Sequence, residues 1–326
     1  MTQLSIIKMY NLSPLHIGTG RENYDSSASE LHSDTLSSAL AAVGVETGMS
    51  GNVEDFLTSF SMSSAFPFYR DIFFLPKPQG LLNVVVEDAE ESEFRKKLKK
   101  VKYVEQNLWK QIVTGATPCI SKSQIQGVFI VPKDECIEPL SNSQVMQRVS
   151  VSRDGTKDAE PFYFEWNYFN KDAGLYCLTD AKEHVLKLIS QLFVQLGENG
   201  IGTDKNIGGG KFEVEIANEL FSFGEPKDAK RRMSLSLFIP TEDELDGLLD
   251  GSPRYSLLLR GGYMAGSSVE EFRHLRKKMV YAFGEGSVFE TTKPLVGKLV
   301  DLRPDWNDIR IHPVYRSGRA LTLKIK

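Results

Sequence analysis

The chain has 326 residues, 41% of them hydrophobic and 25% charged, with a net charge of −4. That length gives an ample core, in two medium domains or one large one, and no apolar run approaches the roughly 18 residues needed to span a bilayer. The acidic balance speaks against a free-standing nucleic-acid binder, which is usually basic. It leaves room for local basic surfaces on a chain whose acidity serves protein partners.

The opening Met1-Thr2-Gln3-Leu4-Ser5 has no basic n-region and no cleavage pattern, so a cytoplasmic protein without membrane contact is expected. Cys119, Cys136 and Cys177 are scattered and odd in number, which argues against a disulfide framework or a zinc site. His16, His32, His184, His274 and His312 are dispersed without metal-ligand spacing. No metal or other cofactor is expected.

The segment from residue 3 to 11, with Leu4 to Tyr10 at its centre, reads as a first strand, and a glycine-containing loop, Pro14 to Gly20, follows it. Ser33 to Ala41 predicts a short helix with Ser33 as N-cap and Asp34 where the helix dipole favours an anion. A second helix covers Val53 to Phe60. Phe66–Tyr69 and Ile72–Leu75 predict a hairpin closed at Pro76-Lys77-Pro78. Residues 89 to 102 are charged and helix-prone. Their acidic start and basic end suit i,i+4 pairing on a solvated helix.

Gln144 to Ser152 alternates with period two and runs into a turn at Arg153-Asp154-Gly155. Phe162–Trp166 returns, and Gly174–Leu178 is a third strand. Ala181 to Leu196 carries a helical apolar stripe at Leu186, Ile189, Leu192, Phe193 and Leu196, with Gly197 as its expected C-cap. A glycine-rich loop, residues 197 to 212, leads to a strand over Phe212–Ala217. Strands over Ser234–Ile239 and Tyr255–Arg260 bracket an acidic helix at 241 to 249, and Ala320–Lys324 is a final strand. This alternation without a strict βαβ repeat predicts an α+β fold with antiparallel sheets. The expected form is two ferredoxin-like domains, over residues 1–140 and 141–326, with a β-hairpin and a glycine-rich loop in the second.

The glycine-rich loop admits two readings. Glycines let backbone N–H groups approach a phosphate without a Cβ in the way, and Lys205 and Lys211 flank Gly208, Gly209 and Gly210. The plainer reading is a long helix-to-strand connection with tight turns. A Walker A loop is excluded, because Lys211 is followed by Phe212 and the order is helix, loop, strand. The hairpin carries Arg148, Arg153 and Lys157 at or near its tip, as a polyanion contact or as a solvated edge.

Together these pieces resemble the RAMP superfamily of CRISPR RNA-binding proteins, and within it the family of fourth subunits of the type III-A (Csm) effector complex. The matching segments are Leu12–Gly18, Ser33–Leu40, Phe66-Pro67-Phe68, Phe74–Pro78, Arg148–Arg153, the helix and loop ending Gly208–Phe212, Gly286–Phe289 and His312–Arg316. The resemblance implies a non-catalytic RNA-binding subunit whose hairpin is a thumb. Its implied partners are the 5′ tag of the CRISPR RNA, the large polymerase-like subunit and an adjacent RAMP backbone subunit. His16, Gly18, Thr19, Arg148, Arg153, Lys205, Gly208, Gly209, Gly210 and Lys211 are the implied RNA-binding residues. The alternative is a metal-independent RAMP endoribonuclease that processes precursor RNA. It would use His16 or His32 as general acid or base and Lys211 on the transition state.

Overall fold

Alternation along the first segment produces a strand buried on both faces: β1 (Thr2–Tyr10) turns Leu4 and Ile6 to one side and Ile7 and Met9 to the other. The structure is a computed structural model that describes residues 2–19, 24–80, 82–87, 91–152, 155, 158–217, 219–264 and 266–326. After β1 come α1 (Ser33–Glu46), α2 (Val53–Thr58), β2 (Phe66–Tyr69), β3 (Ile72–Pro76), α3 (Glu91–Lys100), β4 (Tyr103–Glu105), α4 (Gln106–Val113), β5 (Ile125–Gln126) and β6 (Phe129–Ile130). The long hairpin is β7 (Ser141–Ser150) and β8 (Glu160–Phe169). It leads to β9 (Ala173–Thr179), α5 (Glu183–Asn199), β10 (Glu213–Ile216) and β11 (Phe221–Phe223).

Among the described residues, nine of these strands form one sheet in the order β10-β1-β9-β2-β3-β4-β6-β5, with β11 also on β1. All neighbours are antiparallel except β4 and β6. The sheet runs across residue 140. Helix α5 and strand β10, expected in a second domain, share it with β1 because Ile7 to Tyr10 pair with Ile216 to Glu213.

Helices α1 and α5 cover one face, where Leu36, Leu40, Ile189, Leu192 and Phe193 pack against Ile7, Met9 and Cys177. The other face is covered by α4 and by the strands at Arg231–Ser234 and Thr322–Ile325, through Trp109, Met233, Leu323 and Ile325, which pack together with Phe221. Each such fully buried large apolar side chain contributes about 1.5–3 kcal/mol. Trp109 also satisfies its indole N–H on the Pro76 carbonyl at 2.8 Å.

Beyond Phe223 the α-helix and strands are β12 (Arg231–Ser234), α6 (Glu242–Leu245), β13 (Leu257–Arg260), β14 (Val280–Phe283), β15 (Val288–Phe289), β16 (Leu299–Asp301), β17 (Tyr315–Ser317) and β18 (Thr322–Ile325). They form the small sheets β15-β12-β18, β13-β14 and β16-β17.

Several boundaries differ from the sequence reading for identifiable reasons. Helix α5 continues through Gly197 and stops at Gly200, whose φ of +82° suits glycine and whose N–H bonds the Leu196 carbonyl. The β2–β3 hairpin turns at Arg70-Asp71, not at Pro76-Lys77-Pro78; Arg70 takes a φ of +53°, and Pro76 instead pairs with Tyr103. The expected strand at 234 to 239 ends at Ser234. Its later N–H groups go to different partners: Leu235 to Leu321, Leu237 to the Ser33 hydroxyl, and Phe238 to Phe283.

Candidate nucleic-acid interface

The sheet topology brings three connections to one end. Strand β1 finishes there, β10 begins there, and β8 leads into β9 there. Ser13 ties the first two together: its N–H donates to the Lys211 carbonyl at 2.8 Å. Its hydroxyl donates to the Gly208 carbonyl at 2.8 Å and accepts from the Lys211 N–H at 2.7 Å. Gly210 N–H donates to the Pro14 carbonyl, and Thr203 N–H to that of His16, both at 2.9 Å. On the other side Leu15 and Asn167 exchange backbone bonds at 2.9 and 3.0 Å. The N-terminal loop is thus held between the glycine-rich loop and the hairpin.

Period-two alternation in β8 turns Phe162, Phe164 and Trp166 toward that loop. Arg148, opposite Phe162, shares their face. The Arg148 guanidinium lies 4.2 Å from the Phe164 ring centroid and 5.3 Å from that of Trp166, and it ion-pairs with Asp204 of the glycine-rich loop. Asp204 itself takes a left-handed φ of +61°. A Cβ on Gly209 would stand 2.5 Å from the Trp166 ring, and one on Gly210 would run into the Ile201 carbonyl oxygen. These two glycines are buried and serve close packing. Gly208 has a φ of +91° with open space beside it.

The sequence-derived site residues His16, Gly18, Thr19, Arg148, Lys205, Gly208, Gly209, Gly210 and Lys211 all fall in this assembly; Arg153 and Lys157 lie outside the described residues. Gly18, Thr19, Lys205 and Lys211 are exposed. His16 is 1% exposed, its ring centroid 4.4 Å from that of Phe164. Its Nδ1–H donates to the Glu165 carbonyl at 2.8 Å, and Nε2 is buried without a hydrogen-bond partner. Sequence reading missed Ser13, Tyr24, Trp166 and Asp204. The signal for Trp166 was present in the alternating aromatics of β8. Asp204, an isolated carboxylate among glycines and lysines, gave no comparable sign.

The second histidine belongs to a different cluster, at the start of α1. His32 Nδ1 meets Glu285 at 2.8 Å, and the Ser64 hydroxyl donates to the same carboxylate. Burial pushes the His32 pKa down, but the Glu285 charge and hydrogen bond outweigh it and raise the value; Glu285 in turn is held down by His32 despite its own burial. Asp34 is buried and ion-paired with Arg260 at 2.8 Å and with Arg316. Burial raises its pKa, and the two guanidinium groups more than reverse that, to about 2. Ser33 is the first helical residue, not the cap: His32 occupies the N-cap, and the Ser33 hydroxyl accepts from Leu237 N–H at 2.9 Å. His16 and His32 therefore sit in separate, closed surroundings. Among the described residues no group of three or more His, Cys, Asp or Glu could hold a metal, and no helix is long and apolar enough to cross a membrane.

A family model described as the CRISPR Csm4 C-terminal domain matches residues 227–325. The CRISPR system Cms protein Csm4 of Mycobacterium tuberculosis is 28% identical over 309 residues, covering 94% of this chain and 93% of that protein. Its counterpart from Streptococcus thermophilus is 25% identical over 299 residues, covering 89% of each. Among solved structures, a Csm1-Csm4 cassette in complex with cA4 matches with a TM-score of 0.62 at 20% identity, over 100% of this chain and 98% of that one. A Csm3-Csm4 subcomplex of the type III-A CRISPR-Cas interference complex matches with a TM-score of 0.62 at 16% identity, over 99% of each chain. The fold is therefore a mixed α+β fold found in subunits of CRISPR effector complexes. Residues 227–325 thus match the Csm4 C-terminal domain, and nearly the whole chain is similar to Csm4 proteins.

Proposed function

We propose that this chain is a structural, RNA-gripping subunit of a type III-A CRISPR ribonucleoprotein. It holds the 5′ tag of the CRISPR RNA at the loop-and-hairpin end of its sheet, and it docks the large polymerase-like subunit and an adjacent RAMP backbone subunit. The observation that carries this reading is the convergence of the N-terminal loop, the glycine-rich loop and the hairpin, with Gly18, Thr19, Lys205, Gly208 and Lys211 accessible at one end of the sheet. Exposed lysines beside a glycine backbone suit phosphates. His16, Arg148, Gly209 and Gly210 shape the surface from below. The partner assignment is supported by solved relatives in a Csm1-Csm4 cassette and a Csm3-Csm4 subcomplex.

The order β10-β1-β9-β2, all antiparallel with α1 and α5 on one face, supports a ferredoxin-like unit of βαββαβ topology. On this reading residues 70–172 are an insertion between its second and third strands, β7–β8 is the thumb, and residue 140 lies inside the insertion. Beyond Phe223 the described residues form small sheets with one short α-helix, α6, and a 3-10 turn at Glu270–Phe272, so topology supports the ferredoxin-like reading for the first unit.

The test is binding of tagged and untagged guide RNA by the complex reconstituted with and without this chain. Tag-dependent affinity should require the chain, and equal affinity for both guides would remove the reading. Incubating the purified chain with repeat RNA in EDTA tests the non-catalytic role. Site-specific cleavage that His16→Ala abolishes would replace that role with an endoribonuclease.

A further inference from the structure

We infer that Tyr24 is a stacking platform for an unpaired nucleobase, resting on the RNA-binding reading above and naming the part of the ligand it takes. Tyr24 is 47% exposed at the edge of a group of aromatic side chains in which His16, Phe164 and Trp166 are buried and Phe162 is half-buried. Its ring is nearly parallel to Phe164, at 16° and 5.9 Å between centroids, and meets the edge of Phe162 at 6.1 Å. The His16 ring is 6.2 Å away. Phe164 is in turn backed by Arg148 and Trp166. Tyr24 is therefore the outer plate of a supported stack.

The backbone beneath it is fixed. The Tyr24 carbonyl accepts from Glu165 N–H at 2.9 Å. Ser27 N–H donates to the Glu165 carboxylate at 2.5 Å, and the Ser27 hydroxyl accepts from Ile17 N–H at 2.9 Å and from the Asn167 amide at 3.0 Å. The segment is pinned both to the N-terminal loop, at Ile17, and to the hairpin, at Glu165 and Asn167. A fixed aromatic plate binds a base with little ordering cost, and every base has a face to offer it.

Two features select the base rather than the phosphate as the ligand. Asp25, exposed beside Tyr24, disfavours a second anion. The Tyr24 side chain carries no positive charge to attract a phosphate, and what it offers a ligand is chiefly the face of its ring. Tyr163, another exposed aromatic, lies on the opposite face of the hairpin from Phe162 and Phe164 and lacks this backing.

The experiment measures guide affinity of the reconstituted complex across a salt series, for wild type, Tyr24→Phe, Tyr24→Leu and Tyr24→Ala. Phe should bind within about twofold of wild type, while Leu and Ala should lose about five- to 150-fold, the range of base–aromatic stacking. The salt slope should stay unchanged, since no phosphate contact is lost. Leu keeps bulk on the Phe164 side, so a melting curve like that of wild type shows its loss to be one of binding. A guide series with one abasic tag nucleotide at a time should contain one position whose loss does not add to that of Tyr24→Leu. Wild-type affinity in Tyr24→Leu, an equal loss in Tyr24→Phe, or additivity at every position would each overturn the platform. Tag-independent binding by the wild type would instead remove the RNA-tag reading on which it rests.

Discussion

Three adjacent glycines meet three different surroundings, and the difference sets what each substitution does. Gly208 has a left-handed backbone with space beside it, Gly209 lies against the Trp166 ring, and Gly210 combines a φ of +66° with the Ile201 carbonyl in the way. Asn tolerates the left-handed region better than other residues, so Gly208→Asn should change stability by well under about 1 kcal/mol. Gly209→Val must displace Trp166, and through it the hairpin, at a cost of about 1–3 kcal/mol. Denaturant titrations of the two variants decide this. Equal destabilisation would mean that the glycines serve chain flexibility and not packing. The sequence made the triplet conspicuous but could not tell a buried glycine from an open one, because that depends on a tryptophan some 40 positions earlier.

At the scale of elements, the hairpin and the glycine-rich loop are joined by a charged clasp. Arg148 spends its guanidinium on Asp204 and on two aromatic rings, so on the proposed RNA-binding reading its part is to position the glycine-rich loop. Arg148→Ala and Asp204→Ala should each weaken guide binding. The double variant should lose less than the sum, with a coupling of about 0.5–3 kcal/mol. Arg148→Ala should leave the salt slope nearly unchanged, whereas a direct phosphate contact would lower it by about one unit. Additive losses with a shallower slope would make Arg148 a phosphate ligand. The elements themselves were legible where local pattern decides them: β1, the hairpin strands, α5 and β10 follow from periods of two and 3.6. Their grouping was not. Strands β1 and β9 are separated by more than 160 residues and pair all the same, and nothing in a local pattern states which strand lies beside which. The clasp was hidden likewise, since Arg148 and Asp204 are 56 positions apart.

Across the whole molecule, the start of α1 is bound to the C-terminal residues by buried charge. Asp34 meets Arg260 and Arg316, and His32 and Ser64 meet Glu285. The sequence reading of Asp34 as a helix-dipole partner captured its position at the helix start but not these guanidinium groups, which lie more than 220 positions away. Removing one partner of a buried pair strands the other, so Asp34→Asn should destabilise by about 3–5 kcal/mol at neutral pH. The pH dependence follows from the signs. Asp34 and Glu285 are held below their ordinary values of 3.8 and 4.5, so their contribution is present above those values and is lost as pH falls, for Asp34 toward about 2. His32 is raised above 6.5, so its contribution is full below 6.5 and is lost as pH rises through the raised value. Both are present between 4.5 and 6.5. Lys277 acts in the opposite sense. Burial lowers it to about 8, helped by Arg316, so its folded-state penalty eases as pH rises above that value. Comparing wild type with His32→Gln cancels the Lys277 effect, which both chains share. The difference in unfolding free energy should be greatest between pH 4.5 and 6.5 and shrink above 6.5. A difference that stays flat from pH 5 to pH 9 would show that His32 holds Glu285 as a neutral hydrogen-bond donor, and that the ionic link across the molecule rests on Asp34 alone.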